Sequence, residues 1–224
     1  MVYFLIKNLL KLYFILFYRM RVYGADNIPQ TGSVIFAPNH VSFYDTLAFG
    51  PYVPRKLHFM TTKDFVRIPV IGAIIRTMGG FEIDLKRRDK SAYERSLEIL
   101  RSGKTLVVFP EGSRTLAREM GPFQQGCARL ALVTGATIVP VTLVGLSEIW
   151  PRTRKFPRFF KTIRIYFHKP ITVEKCEDRV ELKKRIQELN EQIRAPLERR
   201  LDKHRRYLLT KSPEHNKFDR RTVS

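Results

Sequence analysis

His40 and Asp45 stand five positions apart in Asn39-His40-Val41-Ser42-Phe43-Tyr44-Asp45, just after the apolar run Val34-Ile35-Phe36-Ala37 and Pro38. A histidine doing proton chemistry needs a neighbour that fixes its tautomer and stabilises the imidazolium, and a carboxylate does both. The same spacing also describes an ordinary loop histidine with a hydrogen-bonded acidic partner. On a continuous helix, five residues turn two side chains about 140° apart. A strand end, a loop and a capped helix can fold them back together. Ser42, with Asp45 three residues on and Thr46-Leu47-Ala48-Phe49 following, predicts a helix start with Ser42 at the N-cap.

Two more polar clusters follow apolar strands. Asp84-Leu85-Lys86-Arg87-Arg88 comes after Phe81-Glu82-Ile83, and Glu111-Gly112-Ser113-Arg114 after Thr105-Leu106-Val107-Val108-Phe109-Pro110. In α/β sheets, ligands gather at the carboxyl ends of strands. Glycine lets backbone approach a ligand, and arginine grips phosphate through two N–H groups. Taken alone, Glu111 and Arg114 read equally well as an ion pair in a turn. No nucleophile accompanies the histidine: there is no G-x-S-x-G elbow, Cys127 sits in an apolar helical setting, and Ser42 is used as a cap. A His–Asp pair without a nucleophile points to direct attack by a substrate hydroxyl, with His40 as general base. The five histidines (His40, His58, His168, His204, His215) have no zinc-ligand spacing with Cys127 or Cys176, so no metal site is expected. Two cysteines exclude a disulfide scaffold.

The elements that must position these groups alternate. Strands are predicted at Arg21–Tyr23, Val34–Ala37, Lys56–Met60, Phe81–Asp84, Thr105–Phe109, Thr137–Val144 and Ile163–His168. Helices are predicted at Phe65–Met78 with a break at Pro69, at Ala92–Leu100, at Gly126–Val133 and from Glu174 to Leu209 with an interruption near Pro196. This is an α/β protein with a mixed, mainly parallel central sheet flanked by helices. The 224 residues divide into an N-terminal helix over 1–20, one domain over 21–209, and a basic, flexible tail over 210–224.

The net charge is +20, of which +12 lies in residues 151–224. Solubility needs only ~2–8 in a small domain. The excess implies a polyanionic partner, either nucleic acid or an anionic lipid surface. Residues 1–18, MVYFLIKNLLKLYFILFY, form a helix dense in aromatic and aliphatic residues. At about 27 Å it nearly spans a core of ~30 Å. Lys7 and Lys11 would cost roughly 2.5–3.5 kcal/mol each at mid-bilayer, which cancels the apolar gain. Lys7, Asn8, Lys11 and Tyr18 fall on one face, which fits a helix lying in the interface with its lysines among head groups. A span and a buried core helix remain the alternatives.

Asn39-His40-x4-Asp45 and Phe109-Pro110-Glu111-Gly112-Ser113-Arg114 resemble the first and third signature blocks of the glycerophospholipid acyltransferases, with the bacterial lysophosphatidic acid acyltransferases the nearest pattern. Gly80-Phe81-x-Ile83-Asp84 resembles the second block and Ile138-Val139-Pro140-Val141 the fourth. Lys63 to Gly72 resembles the segment between blocks, and Phe123-x-x-Gly126-x-Ala128 the helix after the third. The second block usually has a basic residue directly after its Asp. Here Leu85 stands there and Lys86, Arg87 and Arg88 follow, so which of them meets phosphate stays open.

The resemblance implies a glycerol-3-phosphate acyltransferase-like fold. It also implies transfer of a fatty acyl group from acyl carrier protein (ACP) or CoA to the sn-2 hydroxyl of 1-acyl-glycerol 3-phosphate, giving phosphatidic acid. His40 would be the base and Asp45 its orienting partner. Arg114 would hold phosphate with Lys63 and one of Lys86 or Arg87. Glu111, Gly112 and Ser113 would shape the site, and the 65–75 segment would line an acyl channel. No metal or redox cofactor is required. The expected setting is the cytoplasmic face of a bacterial inner membrane. The rival readings are an acyltransferase for glycerol 3-phosphate, a lysophospholipid or a lyso-aminolipid, a non-catalytic lipid-binding relative, and a nucleic-acid binder. Against the last, aromatics concentrate at the N-terminus rather than among Arg and Lys, and no nucleic-acid motif is present.

Overall fold

The computed structural model describes residues 2–83, 90–114, 120–151 and 153–210. In chain order its elements are α1 (Val2–Phe17), β1 (Arg19–Tyr23), β2 (Val34–Pro38), α2 (Asp45–Phe49), β3 (Leu57–Thr62), α3 (Lys63–Val66), α4 (Pro69–Thr77), β4 (Gly80–Ile83), α5 (Lys90–Arg101), β5 (Thr105–Val107), α6 (Gln125–Thr134), β6 (Thr137–Val144), α7 (Leu146–Ile149), β7 (Thr162–Phe167) and α8 (Arg179–Thr210). The strands form one sheet in the order β1-β7-β6-β2-β5-β3-β4. Every neighbouring pair is parallel except β6–β7. The carboxyl ends of β2, β3, β4, β5 and β6 therefore emerge along one edge of the sheet.

The apolar run of β2 becomes a central strand because it is covered on both faces. Val34 lies between Thr105 and Thr137, and Phe36 between Val107 and Val139. Alternation of side chains splits the core into two. Val34 and Phe36 join Phe14, Tyr44, Phe49 and Ile165 on the face covered by α1 to α4. Ile35 and Ala37 join Leu106, Ala128, Leu132 and Ile193 on the face covered by α5, α6 and α8.

One expectation holds and two change. The break expected at Pro69 is present: the 65–78 stretch is two helices, α3 and α4, meeting at Ile68-Pro69, and Gly72 is needed there because a Cβ would collide with the Val66 carbonyl. Val66, Ile75 and Met78 turn into the core, while Ile68, Val70 and Ile71 face outward. α8 begins at Arg179, where Asp178 Oδ1 accepts Val180 N and Glu181 N, and it runs unbroken through Pro196. Ile193 and Leu197, both fully buried, hold the turns either side of the proline against the sheet.

The second change concerns α1. Its sixteen residues make about 24 Å. Among the described residues no helix is long and apolar enough to cross a membrane. Lys7 is not a head-group lysine. It is buried and its Nζ donates to Val53 O at 2.6 Å, where a short 3-10 turn (Gly50–Tyr52) ends. A carbonyl satisfies the ammonium while the methylenes pack, so the polar residue turns inward. Tyr18 is buried too, and the Lys11 ammonium sits 5.3 Å over the Tyr52 ring. Phe4, Leu5, Leu9, Leu12, Ile15 and Leu16 are left facing out, each more than half exposed.

Candidate active site

Asn39 pins the end of β2. Its Oδ1 accepts Leu143 N at 2.7 Å and its Nδ2 donates to Leu143 O at 3.1 Å, tying the turn to β6. His40 then leaves the sheet, and its ring stacks on Phe109, centroids 3.8 Å apart. The chain doubles back within three residues, so Asp45, first residue of α2, meets the ring: Nδ1 lies 2.7 Å from Asp45 Oδ2. The same Oδ2 accepts Val41 N at 2.7 Å and Ser42 N at 2.9 Å. An oxygen receiving two backbone N–H groups does not itself carry a proton, so Nδ1 bears the hydrogen and donates it. The other ring nitrogen, Nε2, is then an acceptor, and it makes no hydrogen bond to the described residues. Burial pushes the Asp45 carboxyl above the ordinary carboxylate range, and the bonds from His40, Ser42 and Val41 pull it part of the way back.

Ser42 does not cap α2. The N-cap is Tyr44, without a side-chain cap bond. Ser42 Oγ instead donates to Trp150 O at 2.8 Å and accepts Tyr44 N at 3.2 Å. The carboxylate of Asp45 takes the backbone N–H groups that a capping serine would leave to others, so the hydroxyl serves the tertiary contact.

Glu111 is a strut. It is buried, with Oε1 accepting His40 N and Oε2 accepting Gly121 N, both at 2.9 Å. The β5 turn is thereby fastened to the backbone of the histidine itself. Gly112, at φ 71°, makes the turn, and Ser113 is exposed beside it. The Arg114 guanidinium lies 3.7 Å over the Phe43 ring, inside the His40–Asp45 segment. β2 and β5 are neighbours, so two of the three polar clusters converge. Lys63 is exposed at the carboxyl end of β3, the next strand along. Asp84, Lys86 and Arg87 lie outside the described residues.

The structure adds residues that spacing did not single out. Phe109 and Trp150 wall the histidine segment, Trp150 packing against Phe43 and Tyr44 with centroids 5.1 and 4.9 Å away. Arg194, on α8, donates to Gly121 O at 3.0 Å and Met120 O at 3.4 Å, and it pairs with Glu198. It therefore holds the strand of chain that holds Glu111. That Trp150 is the only tryptophan was the one available signal; nothing in spacing marked Arg194. Tyr13 and Tyr44 share a hydrogen bond of 2.8 Å that joins α1 to the site, and burial raises the Tyr44 hydroxyl so that it stays neutral.

Two other histidines and a cysteine are engaged within the fold. His58 bonds Thr105 O, and His168 bonds Thr142. Burial, with Arg200 and Arg199 nearby, holds His168 down at about 4. Burial pushes the Cys127 thiol up to about 12. Among the described residues no three His, Cys, Asp or Glu side chains gather closely enough to share an ion. The arrangement can take a proton at Nε2, return a stabilised imidazolium, and offer an anion the guanidinium of Arg114.

Residues 19–144, more than half of the chain, match the family described as Acyltransferase. A chloroplastic 1-acyl-sn-glycerol-3-phosphate acyltransferase of Arabidopsis thaliana is 30% identical over 169 residues, 72% of this chain and 46% of that protein. The 1-acyl-sn-glycerol-3-phosphate acyltransferase of Borreliella burgdorferi is 27% identical over 159 residues, 70% of this chain and 63% of its own. The chain thus spans about half the length of the plant relative and under two thirds of the bacterial one. The crystal structure of the 1-acyl-sn-glycerophosphate acyltransferase from Thermotoga maritima superposes with a TM-score of 0.75 at 23% identity, over 89% of this chain and 78% of that one. That likeness is one of fold: an α/β domain with a mostly parallel sheet between helices.

Proposed function

Because the chain belongs to the acyltransferase family, we propose that it moves a fatty acyl group from an ACP or CoA thioester to the sn-2 hydroxyl of 1-acyl-glycerol 3-phosphate, forming phosphatidic acid. The observation that carries this reading is His40, with Nδ1 bonded to a buried Asp45 and Nε2 left open, beside Arg114 at the next strand end. His40 Nε2 takes the proton of the sn-2 hydroxyl as that oxygen attacks the thioester carbonyl. The sulfur then leaves with a proton returned from the imidazolium, and no acyl-enzyme is formed. Asp45 fixes the tautomer and stabilises the charged ring. Arg114 holds the phosphate, with Lys63 and one of Lys86 or Arg87 assisting, while Glu111, Gly112 and Ser113 shape the turn. No cofactor enters this scheme. The apolar outer face of α1 supports action at an anionic membrane surface, where a lysolipid resides. The relatives carrying the 1-acyl-sn-glycerol-3-phosphate name support this acceptor over its rivals.

The test is an acceptor panel: purified protein, acyl-ACP and acyl-CoA in turn, with 1-acyl-glycerol 3-phosphate, glycerol 3-phosphate, a lysophospholipid and a lyso-aminolipid. The first acceptor should have the highest kcat/KM. A higher value for any other would replace the acceptor while leaving the acyl-transfer chemistry standing.

A further inference from the structure

We propose that residues 153–161 form a second membrane-docking element, an aromatic and basic clip that inserts into an anionic lipid surface next to the outer face of α1. The inference rests on the reading above that the substrate is a membrane lipid.

The segment reads Thr153-Arg154-Lys155-Phe156-Pro157-Arg158-Phe159-Phe160-Lys161: four cations, three phenylalanines and no acid. Phe156 and Phe160 are 70% and 72% exposed, and Phe159 is 45% exposed. Large apolar side chains displayed so fully, among cations, form the surface expected at a lipid interface. The display is built, not frayed. Phe160 N donates to Phe17 O at 2.8 Å, Arg19 N to Lys161 O at 3.0 Å, Arg158 N to Ile149 O at 3.0 Å, and Trp150 Nε1 to Arg154 O at 3.1 Å. Phe160 is the only described non-glycine residue at positive φ, 59°. The side chain it carries points to solvent.

The clip continues the α1 surface. The Phe17 ring lies 5.5 Å from Phe159 and 6.5 Å from Phe160, and Phe17 ends the exposed row of Leu12, Ile15 and Leu16. It also adjoins the site, since Trp150 at its root accepts the Ser42 hydroxyl and packs on Phe43. A second copy of the chain is the weaker occupant. A two-fold contact would face these cations with themselves, with no acidic residue in the segment to relieve them. An anionic bilayer takes both the rings and the charge.

Co-sedimentation with phosphatidylcholine vesicles, with and without phosphatidylglycerol, tests this on four proteins: wild type, Phe156→Ser/Phe160→Asn, Arg154→Glu/Lys155→Glu, and the α1 variant Leu9→Ser/Leu16→Ser. The phenylalanine variant should bind about tenfold more weakly to either vesicle. Its melting temperature should be unchanged or higher, because asparagine tolerates positive φ where phenylalanine is strained. The charge variant should lose most of the preference for phosphatidylglycerol. Wild-type binding by both clip variants, with loss only in the α1 variant, overturns the clip and leaves α1 docking intact. Wild type that ignores both vesicles overturns the clip and the membrane reading together. A wild-type dimer that the phenylalanine variant dissolves in sedimentation would make the surface a self-interface, which also overturns the proposal.

Discussion

Asp45 is the residue on which the site's energetics and its chemistry pull apart. Its carboxyl is pushed up by burial. A group whose folded pKa is raised contributes stability below its ordinary value and loses it as pH rises through the folded value, so at neutral pH the charged Asp45 costs stability. Asparagine keeps the shape and can still accept Val41 N and Ser42 N. Asp45→Asn should therefore melt no lower than wild type at pH 7, with its relative advantage growing as pH rises above the ordinary carboxylate range. Its turnover should fall about 10²–10⁴-fold, because the imidazolium loses its counter-charge. Melting curves against pH beside initial rates check both halves, and a stability loss matching the activity loss would make Asp45 merely structural. At this scale much was legible. That His40 would meet Asp45, and that the Glu111–Arg114 turn would lie beside them, could be read because polar clusters at the carboxyl ends of neighbouring strands converge. Ser42 and Lys7 were misplaced because a local pattern cannot see the distant carbonyls of Trp150 and Val53 that claim them.

Among the elements, α8 has the least obvious part. It lies outside the residues that match the family, yet Arg194 grips Gly121 and Met120, Gly121 grips Glu111, and Glu111 grips the His40 backbone. In the proposed mechanism Arg194 is a positioning residue. Arg194→Ala should lower kcat about tenfold through small displacements of the histidine. Arg194→Lys should recover only part, since an ammonium cannot match the two-carbonyl fork. If kcat holds while only the melting temperature drops, α8 supports the fold and not the site. The sequence made the strands plain, as short apolar runs closed by turn residues, and it made the split at Pro69 plain as well. It could not reveal that β7 runs against β6, since an antiparallel return and a parallel crossover read alike in side-chain pattern. Nor could it say which carbonyls Arg194 would meet.

For the whole molecule, charge and shape tell one story. An excess of twenty positive charges and an apolar outer face on α1 suit the proposed acyl transfer to an anionic lipid at a surface. The charge was legible from composition alone. The orientation of α1 was not, because both of its faces carry enough apolar residues to pack; the fold buries the face of Lys7, Phe14 and Tyr18. The central claim is that His40 is the base for acyl transfer to a lysolipid hydroxyl. It is tested most directly by the rate at which wild type and His40→Ala form phosphatidic acid from 1-acyl-glycerol 3-phosphate and an acyl thioester, at matched circular dichroism. Wild type should turn over and His40→Ala should be slower by about 10²–10⁴-fold. A folded His40→Ala enzyme within a few-fold of wild type would contradict the account.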